Sequence, residues 1–250
     1  MRYLIFGFLL CSLLSSTLHA QAPDEGPFEF QRKRDIGLSL SVGLLDLSGH
    51  ILQRQLSPLT DLQLSQLDPN QVHPFDRGTI GNWSPRAATV SDVLLGAALI
   101  TPFALPLMNR SLREERLDLW IMGFQTLVYT DLATTWTKYS VRRVRPFAYL
   151  PSGNDQTLFQ LQREPDARYA FFSGHTSGTA VASFYAASIY QAYFPHSRSR
   201  YFVWGAAVIL PAVVGYLRVR AGKHYPSDVM AGYLVGASIG ILNPWFHRRR

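Results

Sequence analysis

Residues Arg218 to Asp228 read Arg-Val-Arg-Ala-Gly-Lys-His-Tyr-Pro-Ser-Asp, with His224 six positions after Arg218 and Asp228 four positions further on. Arg218 supplies a permanent planar cation whose fork of donors suits phosphate oxygens. Pro226-Ser227 ahead of an apolar run from Val229 predicts a helix start with Asp228 in its first turn. From there the carboxylate can accept a hydrogen bond from one ring nitrogen of His224, fix its tautomer and leave the other nitrogen free to attack. Two upstream segments carry matching chemistry. Lys138 stands six residues before the pair Arg145-Pro146, and Ser173-Gly174-His175 opens an apolar helical run. At a helix amino end the Ser173 hydroxyl and the Gly174 N–H would face negative charge favourably, and a glycine lets the backbone approach a ligand closely. Three cations about 6 Å apart repel by roughly 3 kcal/mol per pair at an effective dielectric near 20. A pocket gathering Lys138, Arg145 and Arg218 therefore calls for an anion, and phosphate is the obvious one. Two histidines, His175 and His224, would stand beside it. The residues do not decide which attacks, although the aspartate partner favours His224. No cluster of metal ligands is needed, because the cations do the neutralising.

In chain order these segments are K-x6-RP, SGH and R-x5-H-x3-D. That triplet resembles the signature of the type-2 phosphatidic acid phosphatase and vanadium haloperoxidase superfamily, directly over Lys138 to Asp228 and by hydrophobic pattern from about residue 35. Phe172 stands where the family usually has a proline, and Leu217 where it usually has a serine. The resemblance implies an all-α bundle of about six core helices with the motifs meeting at one end. It further implies that His224 forms a phosphohistidine oriented by Asp228, and that His175 protonates the leaving oxygen. Lys138, Arg145, Ser173, Gly174 and Arg218 would hold the phosphate, with no cofactor.

The net charge of +7 is scattered in short clusters, without the long basic stripe of a nucleic-acid binder. The lone cysteine, Cys11, excludes a disulfide framework. Residues 1–22 read as a secretory signal: Arg2, the apolar Leu4–Leu14 and a small-x-small site at Ala20-Gln21-Ala22. A polar arm over 23–35 and one domain over 36–250 follow. Ile36–Leu52, mixed with Ser39, Ser41, Asp46 and His50, suits a half-buried helix better than a spanning one.

No stretch alternates like a strand. Apolar runs at Val93–Met108, Leu119–Thr137, Thr176–Phe194, Tyr201–Leu217 and Val229–Phe246 predict helices, and the last three carry no charge. Each charge at mid-membrane costs roughly 2.5–3.5 kcal/mol on insertion scales, so uncharged runs are candidate spans. If the helices alternate, the basic turns at Arg110–Arg116, His196–Arg200 and His247–Arg250 fall on one side and all three motifs on the other. With a cleaved signal and a non-spanning Ile36–Leu52 helix, the turns are cytoplasmic and the motifs periplasmic, which fits the positive-inside rule. Arg142, Arg143, Arg220 and Lys223 read as a solvated face beside the motifs, Asp131 as a buried hydrogen-bond partner, and Asp76 and Trp83 as loop packing. His50, with no matching context, reads as a surface residue. The expected function is metal-independent hydrolysis of lipid phosphate monoesters or diphosphates at a membrane, with no role for nucleic acid. A soluble periplasmic acid phosphatase for small phosphate esters, a vanadium haloperoxidase and a non-catalytic lipid-phosphate binder are the alternatives.

Overall fold

A computed structural model describes residues 26–249; the expected signal, Cys11 and the first residues of the polar arm lie outside that range. Among the described residues there are ten α-helices and no β-strand, only a bridge between Phe28 and Arg248. The long helices are α1 (Arg32–Arg54), α4 (Pro85–Ala104), α6 (Arg116–Val141), α8 (Gly174–Tyr193), α9 (Ser199–Arg220) and α10 (Pro226–Phe246). Short ones fill the connections: α2 (Asp61–Ser65), α3 (Pro74–Arg77), α5 (Arg110–Glu114) and α7 (Gln156–Gln162). The all-α bundle of six core helices is therefore as expected.

Helix starts follow their local chemistry. Ser84 accepts from the Ala87 N–H with Pro85 in the first turn of α4, and Ser173 accepts from the Thr176 N–H at the start of α8. Pro226 opens α10, where the Asp228 carboxylate accepts from the Tyr225 N–H. Arg142 ends α6 in the left-handed conformation, φ 51°.

Helix α8 is the hub, packed by α4, α6, α9 and α10, with most of its residues buried. Its tightest neighbour is α10, which presents Gly232, Gly236 and Gly240 along one stripe. A methyl group on these would stand 2.5, 2.2 and 2.8 Å from the carbonyl oxygens of Ser173, Ser177 and Val181. The glycines let two backbones touch over two turns, which is how small residues bring helices together where lipid removes the hydrophobic drive. The register locks the amino end of α8 to the amino end of α10.

Four helices among the described residues are long and apolar enough to cross a membrane: Lys33–Arg54, Pro85–Leu107, Ser199–Arg220 and Pro226–Phe246. A span of 22 residues is about 33 Å long, against a hydrocarbon core of about 30 Å. The first span differs from the sequence reading. Ile36, Leu40, Leu44, Leu47 and Ile51 are exposed on α1, while its polar Asp35 and Ser39 turn inward. The mixed composition that resembled a half-buried helix is an inverted arrangement, polar towards the bundle and apolar outward.

The motif-bearing ends of α6, α8, α9 and α10 lie together. At the other end the segment after Gly26 is pinned to the chain terminus. Phe28 is buried, the Glu29 N–H donates to the His247 carbonyl, and His247 stacks on Phe30. Tyr193 donates to Glu115 at that same end.

Candidate active site

Four helix ends and one loop build the site. The loop leaves α6 at Arg142 and returns to α8 at Ser173, and its two limbs are tied by backbone bonds. The Arg145 N–H donates to the Ala167 carbonyl, and the Ala170 N–H to the Arg143 carbonyl. Arg145 is buried and held in two directions. Its Nε and Nη2 donate to the backbone oxygen and Oδ1 of Asp166, at 2.8 and 2.7 Å. Its Nη1 is aimed at the Lys223 carbonyl, 3.2 Å away, and at His224 Nε2, 3.5 Å away. Burial would raise the Asp166 pKa, but Arg145, Lys138 and Lys223 outweigh it and hold the carboxyl below its ordinary range.

His224 is 1 % exposed. Its Nδ1 donates to the Ala170 carbonyl at 2.7 Å, which fixes the tautomer and leaves the Nε2 lone pair facing Arg145. Burial, then the charges of Arg145, Arg218 and Lys138, push its pKa well below 6.5. The imidazole is therefore neutral at neutral pH, the form a nucleophile requires.

Asp228 corrects the sequence reading. Its Oδ2 lies 3.8 Å from His224 Nδ1, beyond a hydrogen bond. The carboxylate is taken by its own helix start, accepting from the Tyr225 N–H at 2.8 Å, and by Arg143 Nη1 at 2.6 Å. A backbone carbonyl does the orienting that was expected of the aspartate. Arg143 was read as a solvated side chain and is instead the centre of a buried network. Its Nη2 donates to Asp76 at 2.7 Å, its guanidinium lies over the Tyr225 ring, and Asp76 also accepts from the Ser227 N–H and hydroxyl. Asp76, read as loop packing, lies in α3 and thereby ties that helix to the start of α10.

The other face comes from α4, α6, α8 and α9. Arg218 is 5 % exposed and donates through Nη1 to Ser91 and Asp92, at 3.2 and 3.1 Å, while its buried Nε has no partner. The same Asp92 oxygen lies 2.7 Å from His175 Nε2. Ser91 and Asp92 were not singled out in the sequence, where nothing ties that apolar helix to motifs more than eighty residues away. Lys138 reaches the amino end of α8, its Nζ 3.4 Å from where a Gly174 methyl would stand, so a side chain at that position would crowd the amine. The Ser173 hydroxyl is buried and accepts from the N–H and hydroxyl of Thr176. Lys138, Arg145, Ser173, Gly174, His175, Arg218 and His224 thus converge, and the charges of Arg218 and Lys138 act on both imidazoles.

Residues 118–250 match the model of a family described as the PAP2 superfamily. The chain belongs to that superfamily. The PAP2 match covers all three motifs and the helices that present them. Among curated proteins, the chain is 32 % identical over 129 residues to a lipid A 1-phosphatase of Rhizobium etli, covering 50 % of this chain and 49 % of that one. It is 33 % identical over 122 residues to a lipid A 1-phosphatase of Rhizobium johnstonii, covering 48 % and 44 %. It is 29 % identical over 107 residues to an undecaprenyl-diphosphatase of Sulfolobus acidocaldarius, covering 43 % and 45 %. The chain spans about half the length of the curated relatives it matches. No solved structure matches it at a significant level.

One polar residue outside the motifs also differs from expectation. Asp131 is exposed, and His50, at the surface as expected, lies with Nε2 3.1 Å from Asp131 and 3.6 Å from Asp46. Asp46 and Asp131 line a cavity of about 350 Å³ that reaches Gly174, and Leu95, Leu99, Leu127 and Val181 form its apolar walls.

Proposed function

We propose that the chain is a membrane-embedded phosphatase, with residues 36–250 forming one catalytic domain. It would hydrolyse lipid phosphate monoesters or diphosphates through a phosphohistidine on His224, on the periplasmic side. The observation that carries this reading is the His224 ring. It is buried, neutral, fixed through Nδ1 by the Ala170 carbonyl, and its open Nε2 lies 3.5 Å from a phosphate-type arginine. An imidazole held for structure alone has no need to present Nε2 to an arginine among three cations.

In this mechanism Lys138, Arg145 and Arg218 bind the non-bridging oxygens, helped by the Ser173 hydroxyl and the Gly174 N–H at the amino end of α8. His224 Nε2 attacks phosphorus, forming the N–P bond as the bond to the lipid oxygen breaks, and His175 donates the proton that the leaving oxygen takes up. Water then attacks the phosphohistidine, losing a proton to His175, and releases phosphate with His224 restored. Asp92 positions His175 and Arg218 together. Asp228 acts through Arg143, by holding the start of α10 against the loop that carries Arg145.

The substrate class rests on the exposed apolar faces of the four candidate spans, on the cavity beside Gly174, and on relatives named for lipid A and undecaprenyl diphosphate. The basic turns at the far end of the bundle support a periplasmic site by the positive-inside rule. The test is phosphate release by purified protein in detergent across lipid and soluble phosphates, with trapping of label from a ³²P-substrate by an alkaline dodecyl sulfate quench, which preserves the acid-labile N–P bond. Release that resists EDTA, yields to vanadate and disappears with the trapped label in His224→Ala is the expected result. Wild-type turnover in His224→Ala would end the proposal.

A further inference from the structure

Each arginine of the site already has a carboxylate: Arg145 pairs with Asp166 and Arg218 with Asp92. The two lysines have none within ion-pair distance among the described residues. Lys138 lies at the amino end of α8, where the transferred phosphoryl group belongs. Lys223 lies elsewhere. It precedes His224 and follows Gly222, whose φ of 70° and close approach to the Asn82 carbonyl, 2.2 Å from where a methyl would stand, admit only glycine. That turn sends the two neighbouring side chains apart. His224 goes into the interior, while half-buried Lys223 crosses to the flank, its Nζ 4.8 Å from the Phe147 ring centre and 5.9 Å from that of Trp83. Its backbone carbonyl accepts from Arg145 Nη1 at 3.2 Å, which sets it on the Arg145 side of the site, and the charges that act on it are those of Arg145, Asp166, Arg218 and Glu164. Burial, then Arg145, pushes this lysine down to about 8. A desolvated lysine with no carboxylate in ion-pair range is relieved further by an anion beside it.

We propose that Lys223, held over Phe147 and Trp83, is a subsite for a second anionic group of the substrate, and that it makes the site prefer diphosphates over monophosphates of the same lipid chain. One phosphoryl group is already served by Lys138, Arg145, Arg218 and the α8 amino end, whereas a diphosphate brings further negative charge that those groups do not meet. The inference rests on the phosphatase reading and narrows its substrate class.

The experiment compares farnesyl diphosphate with farnesyl monophosphate in detergent, for wild type, Lys223→Gln and Lys223→Arg, reading kcat/KM for each. Losing one charge-assisted contact predicts that Lys223→Gln lowers the diphosphate-to-monophosphate ratio by about tenfold or more. Lys223→Arg should restore most of it. Competition by pyrophosphate and by inorganic phosphate gives a second reading independent of turnover, in which Lys223→Gln should weaken pyrophosphate selectively. An unchanged ratio in Lys223→Gln, or a wild type that hydrolyses only the monophosphate, overturns the subsite and leaves the phosphatase standing. A wild type that releases phosphate from neither substrate overturns both.

Discussion

Replacing Arg143 by glutamine should be strongly destabilising. The guanidinium bridges Asp228 and Asp76, whose side chains are 0 % and 4 % exposed. Removing one partner of a buried pair costs about 3–5 kcal/mol, because an uncompensated charge stays behind. The glutamine amide recovers one ordinary hydrogen bond, about 1 kcal/mol, leaving a net loss on the order of 3 kcal/mol. In a chain of this size that lowers the melting temperature by roughly 6–12 °C. The neighbouring Arg142 is the control: it is exposed and donates only to the Tyr139 carbonyl, so Arg142→Gln should stay within about 0.5 kcal/mol of wild type. Thermal unfolding of the purified variants in one detergent, followed by circular dichroism, reads both. The pH dependence adds a second check. Burial alone would raise the Asp76 pKa, but hydrogen bonds from Arg143 and Ser227 outweigh it, and the group lies below its ordinary 3.8. The Asp76 part of the stabilisation is therefore complete above pH 3.8 and is lost as pH falls through the lower folded value. Equal melting temperatures for Arg143→Gln and Arg142→Gln at neutral pH would refute the buried network.

Asp92→Asn removes the charge that His175 and Arg218 share, and should lower kcat by about 10–100-fold, as losses of partners that orient a functional histidine do; steady-state phosphate release reads it, and wild-type kcat would count against Asp92. Gly236→Ala forces a methyl to 2.2 Å from the Ser177 carbonyl and should cost about 1–3 kcal/mol. By contrast Gly96→Ala, with open space around it, should be neutral or slightly stabilising in the same melt. Because His224 titrates well below 6.5, it stays neutral as pH falls from 7.5 to 6.5. The kcat/KM profile should show no loss attributable to it in that interval, and an acid limb centred at 6.5 or above that moves when the Arg145 charge is removed would contradict this.

Much of the site was legible because its chemistry is local. Arg218, His224 and Asp228 fall within eleven residues, and Ser173-Gly174-His175 marks its own helix start, so residue types and spacing, with the resemblance they carry, pointed to the cations and imidazoles, while the apolar runs pointed to an all-α fold. Partner choice was not legible. Whether Asp228 reaches His224 depends on competition between the Ala170 carbonyl, 54 positions away in the chain, and Arg143, 85 positions away. The carbonyl wins the ring because its donor distance is 2.7 Å, while the carboxylate is drawn to a full positive charge. Asp92 and Asp76 were hidden for the same reason, since their worth lies in which helix end they face. The outward apolar face of α1 was hidden too, because composition counts polar residues without saying which way they point. Residue type and short spacing determined what chemistry this protein carries; only the packing of α8 against α10 and the loop decided which charge meets which, because Coulomb and hydrogen-bond energies depend on distance in space and not along the chain.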